Sequence, residues 1–150
     1  ASHRLPSLEY EGLLKATMLL AKDHRQVEEA FRRMAFNAFA HNRDDHVKNV
    51  SYLLDRSGAW RLAPAYDLVF SEGPGGQHSM AVAGEAVRPT ERDMLRVADR
   101  CDVDARRGRE IIQQVGDAVR DWPRFARATG VSRASERRVG AVITGAEIPR

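Results

Sequence analysis

Asn42-Arg43-Asp44-Asp45-His46-Val47-Lys48-Asn49, followed further on by Pro64-Ala65-Tyr66-Asp67, is the stretch on which the reading of this chain turns. The first segment packs acidic and amide oxygens, a histidine and a lysine into eight residues, a composition that no apolar core accepts. It directly follows an apolar helical run, Met34-Ala35-Phe36-Asn37-Ala38-Phe39-Ala40. It directly precedes a strand-like run, Val50-Ser51-Tyr52-Leu53-Leu54. A polar cluster delivered by two buried elements is where a scaffold mounts its chemistry.

Outward from that stretch, the strongest element is a helix from about His24 to His41. Val27, Ala30, Phe31, Met34, Ala35, Ala38 and Phe39 recur at spacings of three and four, and Glu28, Glu29, Arg32 and Arg33 form the wet face. Before it, Ser7 is placed to cap a helix to about Lys22 with Leu8, Leu13, Leu14, Met18 and Ala21 on its apolar stripe. After the polar cluster, Val50–Leu54 and Ala59-Trp60-Arg61-Leu62 read as a β-hairpin around the turn Asp55-Arg56-Ser57-Gly58. The hairpin brings Asp67 back to the end where Asp44 lies, 23 residues earlier. Phe70 to Gly84 reads as a loop centred on Gly73-Pro74-Gly75-Gly76, with a short strand near Ser79 to Val82. Helices follow: Glu91 to Cys101, capped by Thr90; a helix capped by Asp104 to about Trp122, with Ile111, Val115, Ala118 and Val119 inside; a short helical turn from Pro123 closed by Gly130; and a last helix from Ser132 to about Gly145.

The chain has 150 residues, enough for one domain with a real core. Its apolar fraction of 43% and charged fraction of 30% exclude a disordered segment, and no apolar run is long enough to cross a bilayer. One cysteine, Cys101, excludes an internal disulfide and reads as an inert core thiol. No signal-like segment opens the chain, so a cytoplasmic location is expected. Net charge is +3; apart from Lys15, Lys22 and Lys48 the cations are arginines, in excess over acids only in the second half. Acids such as Asp117, Asp121 and Glu136 interleave with them, so the reading is a solvated face rather than a nucleic-acid surface.

Asp44 and Asn49 stand in the arrangement Asp-x-x-x-x-Asn. Phosphoryl transfer needs a carboxylate to orient the nucleophile and take its proton, with oxygen ligands for magnesium on the nucleotide phosphates. A later Asp after a strand serves as second metal ligand, and Asp67 occupies that place; Lys48 offers a cation near the transferring phosphate. Each residue also has a plain structural reading. Asp44 and Asp45 can turn the chain after a helix, the preferred reading for Asp45; Asn49 can form an Asx-turn, Asp67 can cap a loop, and His46 can be a packed or solvent-facing loop residue. On the residues alone, catalysis and structure stand level.

Asn-Arg-Asp-Asp-His-Val-Lys-Asn at 42–49, Ser-Tyr-Leu-Leu at 51–54 and Trp-Arg-Leu-Ala-Pro-Ala-Tyr-Asp at 60–67 resemble the HipA family of toxin–antitoxin kinases. The segments Phe31–Asn37 and Gly73–Ser79 resemble it too, and the likeness is strong over about residues 7 to 90. The resemblance implies a mainly α protein-kinase-like C-terminal lobe, a helical bundle with a small β-hairpin carrying the active-site loop. It implies Asp44 as catalytic base, and His46, Lys48, Asn49, Tyr66 and Asp67 at ATP, with Asn49 and Asp67 holding Mg2+. Residues 73–79 would occupy the ground of an activation segment. It further implies a protein hydroxyl as acceptor, an aminoacyl-tRNA synthetase in known family members, and a HipB-like antitoxin as partner, with nucleic acid met only indirectly and no membrane.

Nothing in residues 1–41 resembles the phosphate-covering loop or strand lysine of an N-terminal lobe. The whole chain is therefore read as the C-terminal lobe alone, weak in nucleotide binding and inactive without a separate N-lobe chain. Two other readings stay open: a non-catalytic module that engages a DNA-binding antitoxin, and a metal-dependent phosphohydrolase using the same carboxylates.

Overall fold

The computed structural model describes residues 9–144. These form helices α1 (Tyr10–Ala21) and α2 (His24–Phe39), strands β1 (Tyr52–Leu54) and β2 (Trp60–Leu62), and helices α3 (Glu91–Arg100), α4 (Ala105–Arg120), α5 (Trp122–Ala128) and α6 (Arg133–Ile143). The chain is mainly helical with one antiparallel hairpin, as the sequence leads one to expect.

Helix α2 is the axis. Its buried stripe of Val27, Ala30, Phe31, Met34 and Ala35 packs against α1 and α4. Leu13 and Leu14 of α1 and Ile111, Ile112 and Val115 of α4 complete the core. Each large apolar side chain there contributes roughly 1.5–3 kcal/mol over leaving it in water. Gly108 of α4 faces α3 and α2 closely: a Cβ there would be in ordinary contact with Leu95 Cδ2 at 3.4 Å, Ala98 Cβ at 3.5 Å and Phe31 Cζ at 3.7 Å. Helix starts are capped as their sequences ask. Thr90 and Asp93 form a reciprocal capping box on α3, Asp104 accepts from the Arg107 N–H, and Ser132 accepts from the Ser135 N–H.

The hairpin pairs Tyr52 with Leu62, Leu53 with Arg61 and Leu54 with Trp60. Two strands of three residues do not hold by themselves. Side chains of the helices hold them. Thr17 Oγ1 donates to Leu13 O at 2.8 Å and therefore accepts from Tyr52 Oη at 2.7 Å. Gln26 Oε1 accepts from the Leu62 N–H at 2.8 Å, and Arg33 Nη2 donates to Ala63 O at 2.8 Å. At the tip, Asp55 Oδ1 accepts from the N–H groups of Ser57 and Ala59, and Gly58 supplies the left-handed residue with φ +83°.

Several sequence expectations need adjustment. Helix α1 opens at Tyr10, flanked by Glu9, which makes no side-chain cap; Ser7 and Leu8 lie outside the described residues. Its buried face includes Tyr10, Glu11 and Thr17 beside Leu13 and Leu14: Tyr10 and Thr17 bond to Asp45 and Leu13 O inside, and Glu11 Oε1 pairs with Arg100 at the rim. Strand β1 starts at Tyr52 rather than Val50, since the Val50 N–H is already bonded to Val47 O. The strand near Ser79–Val82 reduces to a single bridge between Val82 and Glu85. Ala118 is exposed, because Val115 and Val119 take the inward positions of successive turns. Helix α6 ends at Ile143; Gly145 lies outside the described residues.

The arginines do pair with interleaved acids: Arg107 with Glu28, Arg100 with Glu11, Arg106 with Glu110. Cys101 is buried, and burial pushes its thiol up. No helix among the described residues is long and apolar enough to cross a membrane. Where α5 and α6 meet the end of α2, Phe36, Leu68, Phe70, Val119, Trp122 and Phe125 line an apolar groove of ≈ 470 Å³.

Candidate functional site

The polar stretch begins with the way α2 ends. The sequence carries the helix to His41, but it stops at Phe39, because His41 turns left-handed with φ +55°. The Asn42 N–H then reaches back to Asn37 O at 2.9 Å and the Ala40 N–H to Phe36 O at 2.8 Å, which closes the last turn in a Schellman-type stop. A histidine in that conformation costs about 1 kcal/mol or more. Stacking of its ring on Phe70, with centroids 5.4 Å apart, and its contact with Glu72 Oε2 at 3.2 Å offset this. Burial pushes the His41 imidazole below its ordinary value, against the pull of Glu72.

The chain then runs beside the segment after the hairpin. The Arg43 N–H donates to Ser71 O, the Ser71 N–H to His41 O, and the Ser79 N–H and Oγ both donate to Arg43 O. Between the two segments sits Asp45, 2% exposed. Its Oδ2 accepts from Tyr10 Oη at 2.7 Å and from His78 Nδ1 at 3.0 Å. Its Oδ1 accepts from the N–H groups of Ser79 at 2.8 Å and Met80 at 3.4 Å. The network continues from Tyr10 Oη, which accepts from Asn37 Nδ2 at 2.9 Å, to Asn37 Oδ1, which accepts from Asn42 Nδ2 at 3.0 Å.

Burial opposes the charge on Asp45, but the His78 bond and charge, the Tyr10 hydroxyl and the Ser79 N–H outweigh it and hold its carboxyl below the usual range. Burial and the Asp45 charge together push the Tyr10 phenol well above its ordinary value, so it stays a donor. An ionised carboxylate only accepts, so His78 Nδ1 carries the hydrogen of that bond. The turn-residue reading of Asp45 is thus corrected: it is the buried hub between α1, the 42–49 loop and the 71–80 segment. Tyr10, Asn37, Asn42 and His78 received no role from sequence. The one signal was Asn37, a lone amide inside an apolar helical run.

Beyond Asp45 the chain makes a single 3-10 turn, Val47–Asn49. Asn49 Nδ2 donates to Asp44 O at 3.2 Å, which closes the five-residue interval into a small ring. The Asp44 carboxylate stays half exposed, 3.7 Å from His46 Nε2. Asp67 is exposed and left-handed, φ +55°, a conformation Asp adopts more readily than most residues. His46, Asn49, Tyr66 and Asp67 line one cleft, whose other walls include Asp45, Asn42 and Leu68. Asp44 and Lys48 are not on that lining. The Tyr66 hydroxyl donates to Lys48 O at 3.1 Å and so accepts from Ser51 Oγ at 2.8 Å; it ties the hairpin base to the loop.

The donors facing the cleft suit a small hard cation. The Asn49 side-chain oxygen and the Asp67 carboxylate have no hydrogen-bond partner among the described residues. His46 Nδ1 is buried with no partner among the described residues. The enclosed space of ≈ 30 Å³ admits an ion with a water and is too small for a nucleobase. Among the described residues no cluster of three or more His, Cys, Asp or Glu side chains is arranged to hold a metal by itself.

The family model described as HipA-like C-terminal domain matches residues 2–122. No curated protein matches the chain. Among solved structures, a chain from the Shewanella oneidensis MR-1 toxin–antitoxin system HipA, HipB and operator DNA complex superposes with a TM-score of 0.69 at 17% identity. The alignment covers 91% of this chain and 33% of that one, so the present chain spans about a third of that chain's length. At that identity the likeness is one of fold.

Proposed function

This chain belongs to the HipA-like C-terminal domain family, and from that membership we propose that it is the C-terminal lobe of a serine/threonine kinase of a toxin–antitoxin module. The observation that supports the reading is that Asn49 and Asp67 both line one cleft, with Asn49 anchored to the backbone of Asp44. A protein-kinase-like lobe positions an Asp and an Asn at this separation, with a second Asp returned by a hairpin.

In this reading Asn49 Oδ1 and the Asp67 carboxylate hold magnesium on the phosphates of ATP. When bound, the ion would supply positive charge against that of the phosphates. The half-exposed Asp44 carboxylate orients the acceptor hydroxyl and takes its proton. His46, on the cleft lining, lies at the phosphates, and Lys48, solvent-facing here, supplies a cation once phosphate and acceptor are in place. Tyr66 acts at the nucleotide by fixing the loop backbone at Lys48. The acceptor is a serine or threonine hydroxyl of a protein, an aminoacyl-tRNA synthetase on the family pattern. The cleft itself is too small for a nucleobase, so in this reading tight ATP binding falls to an N-terminal lobe.

One observation favours a second reading. Asp44 and Lys48 stay off the cleft lining, which fits a lobe retained to bind a HipB-like antitoxin without transferring phosphate. The experiment that separates the two measures γ-phosphate transfer to protein by the chain supplied with a kinase N-lobe. Transfer should fall by at least about a hundredfold in Asp44→Asn while Mg2+–ATP binding persists, and Asp67→Asn should lose the Mg2+-dependent part of binding. Transfer that both substitutions leave unchanged refutes the kinase reading.

A further inference from the structure

The hub at Asp45 joins two segments that the proposed reaction needs in register. Loop 42–49 carries Asp44 and Asn49, and segment 71–80 follows Asp67 and carries His78. Within the hub, Asp45 and His78 form the side-chain link between them: their side chains are 0% and 2% exposed and 3.0 Å apart. A buried carboxylate is an expensive way to fasten a loop. Apolar groups of similar volume fasten as well or better, so the gain lies in a directional bond that admits one arrangement. Every acceptor direction of Asp45 is taken: Oδ2 by Tyr10 and His78, Oδ1 by the backbone N–H groups of Ser79 and Met80. Tyr10 in turn belongs to α1, a rigid part of the core. The neighbouring Asp44 is held only through its carbonyl, by Asn49, and its side chain has no direct anchor besides the 3.7 Å approach of His46.

We propose that His78, acting through Asp45, is a positioning residue: it sets the height of the Asp44–Asn49 loop against the segment that follows Asp67, so that whatever grips residues 73–79 also adjusts the phosphate end of the site. The assignment of reaction rests on the kinase reading above; the mechanical link does not. Segment 73–79 is well placed to be gripped. It is solvent-facing around Gly75 and Gly76, and a Cβ on Gly73 would meet Arg43 Cβ at 2.6 Å, so movement of this turn presses directly on the loop. A protein acceptor lying across the turn thus aligns Asp44 as it docks.

The test compares the chain with His78→Phe, which keeps a ring and removes the donor, and with His78→Asn, whose amide nitrogen takes the place of Nδ1. Amide hydrogen exchange is read at Asn49 and Val50, whose N–H groups bond His46 O and Val47 O, and at the slowest amides of α2. His78→Phe should speed exchange at Asn49 and Val50 by about tenfold more than at α2, the size of one lost bond to a charged group. His78→Asn should return the loop amides to within about threefold of the parent, a margin of under 1 kcal/mol. In the same samples Mg2+–ATP is titrated and the amide shifts of Asn49 and Asp67 are followed; His78→Phe should weaken the apparent affinity about fivefold through a less populated competent loop. Equal acceleration at loop and core, or no rescue by His78→Asn, overturns the proposal, since a merely structural histidine behaves that way. Local acceleration with rescue, but no Mg2+–ATP response in the parent chain even when a kinase N-lobe is supplied, upholds the link and removes the kinase reading. Should His78→Phe not fold, Asp45→Asn carries the same comparison.

Discussion

Tyr10→Phe takes one oxygen from the middle of a buried chain of four bonds. Tyr10 is 1% exposed, so no solvent replaces the lost group. The substitution removes the 2.7 Å bond to the Asp45 carboxylate and strands one donor of Asn37, which now gives 2.9 Å to the phenol. A bond to a charged group contributes about 1.5–3 kcal/mol, and an unsatisfied buried donor costs about 1–3 kcal/mol. With partial relaxation of Asn37 towards Asn42, the loss at pH 7 should be about 3 kcal/mol, which for a chain of this size lowers Tm by roughly 6–12 °C. Urea unfolding followed by circular dichroism at 25 °C gives the free energy, and a thermal scan gives the second number. The loss should shrink in acid. The Tyr10 hydroxyl helps hold the Asp45 carboxyl below its ordinary value, so the variant has less carboxylate-dependent stability to lose. A pH 7 loss under about 1 kcal/mol, within the range of an ordinary surface change, refutes the claim that the bonds of the Tyr10 hydroxyl are made away from water.

The parent chain should be acid-sensitive in a defined window. The Asp45 carboxyl is lowered in the fold, so its contribution is complete above the unfolded carboxyl value of about 4 and disappears as pH falls from there through the lowered folded value; denaturant midpoints from pH 6 to pH 2 trace this, and a midpoint flat across the window contradicts it. Gly73→Ala should cost more than Gly75→Ala by at least about 1 kcal/mol. Both residues are left-handed, but an added Cβ at Gly73 meets Gln77 O at 2.2 Å and Arg43 Cβ at 2.6 Å, whereas at Gly75 it meets nothing. Parallel urea curves of the two variants decide, and equal losses show that the turn yields freely.

The helices were legible because their apolar spacing is periodic and their caps are local: Thr90, Asp104 and Ser132 begin helices as their side chains dictate. The stop of α2 was not, since a histidine in a left-handed cap gives no signal in its own type; Phe70 and Glu72, some thirty residues on, hold it there. The hairpin was legible from its turn, Asp55 to Gly58, although its short strands depend on Thr17, Gln26 and Arg33, which no local pattern marks. In the candidate site, the cleft facing of His46, Asn49, Tyr66 and Asp67 agrees with the spacing of their two segments. The role of Asp45 was out of reach, because its partners come from positions 10, 78, 79 and 80. A buried hub is a property of contacts distant in sequence, and a reading that proceeds by neighbours assigns such a residue to the turn it happens to occupy.

The backbone of Asp67 carries a consequence for how such a chain changes over generations. Its left-handed geometry narrows the tolerable replacements to glycine, asparagine and few others. Asparagine differs from aspartate by a single charged oxygen and one base change in the codon. Asp67→Asn is therefore one nucleotide away and keeps the backbone as it is, while on the reading proposed above it would weaken the hold on the metal.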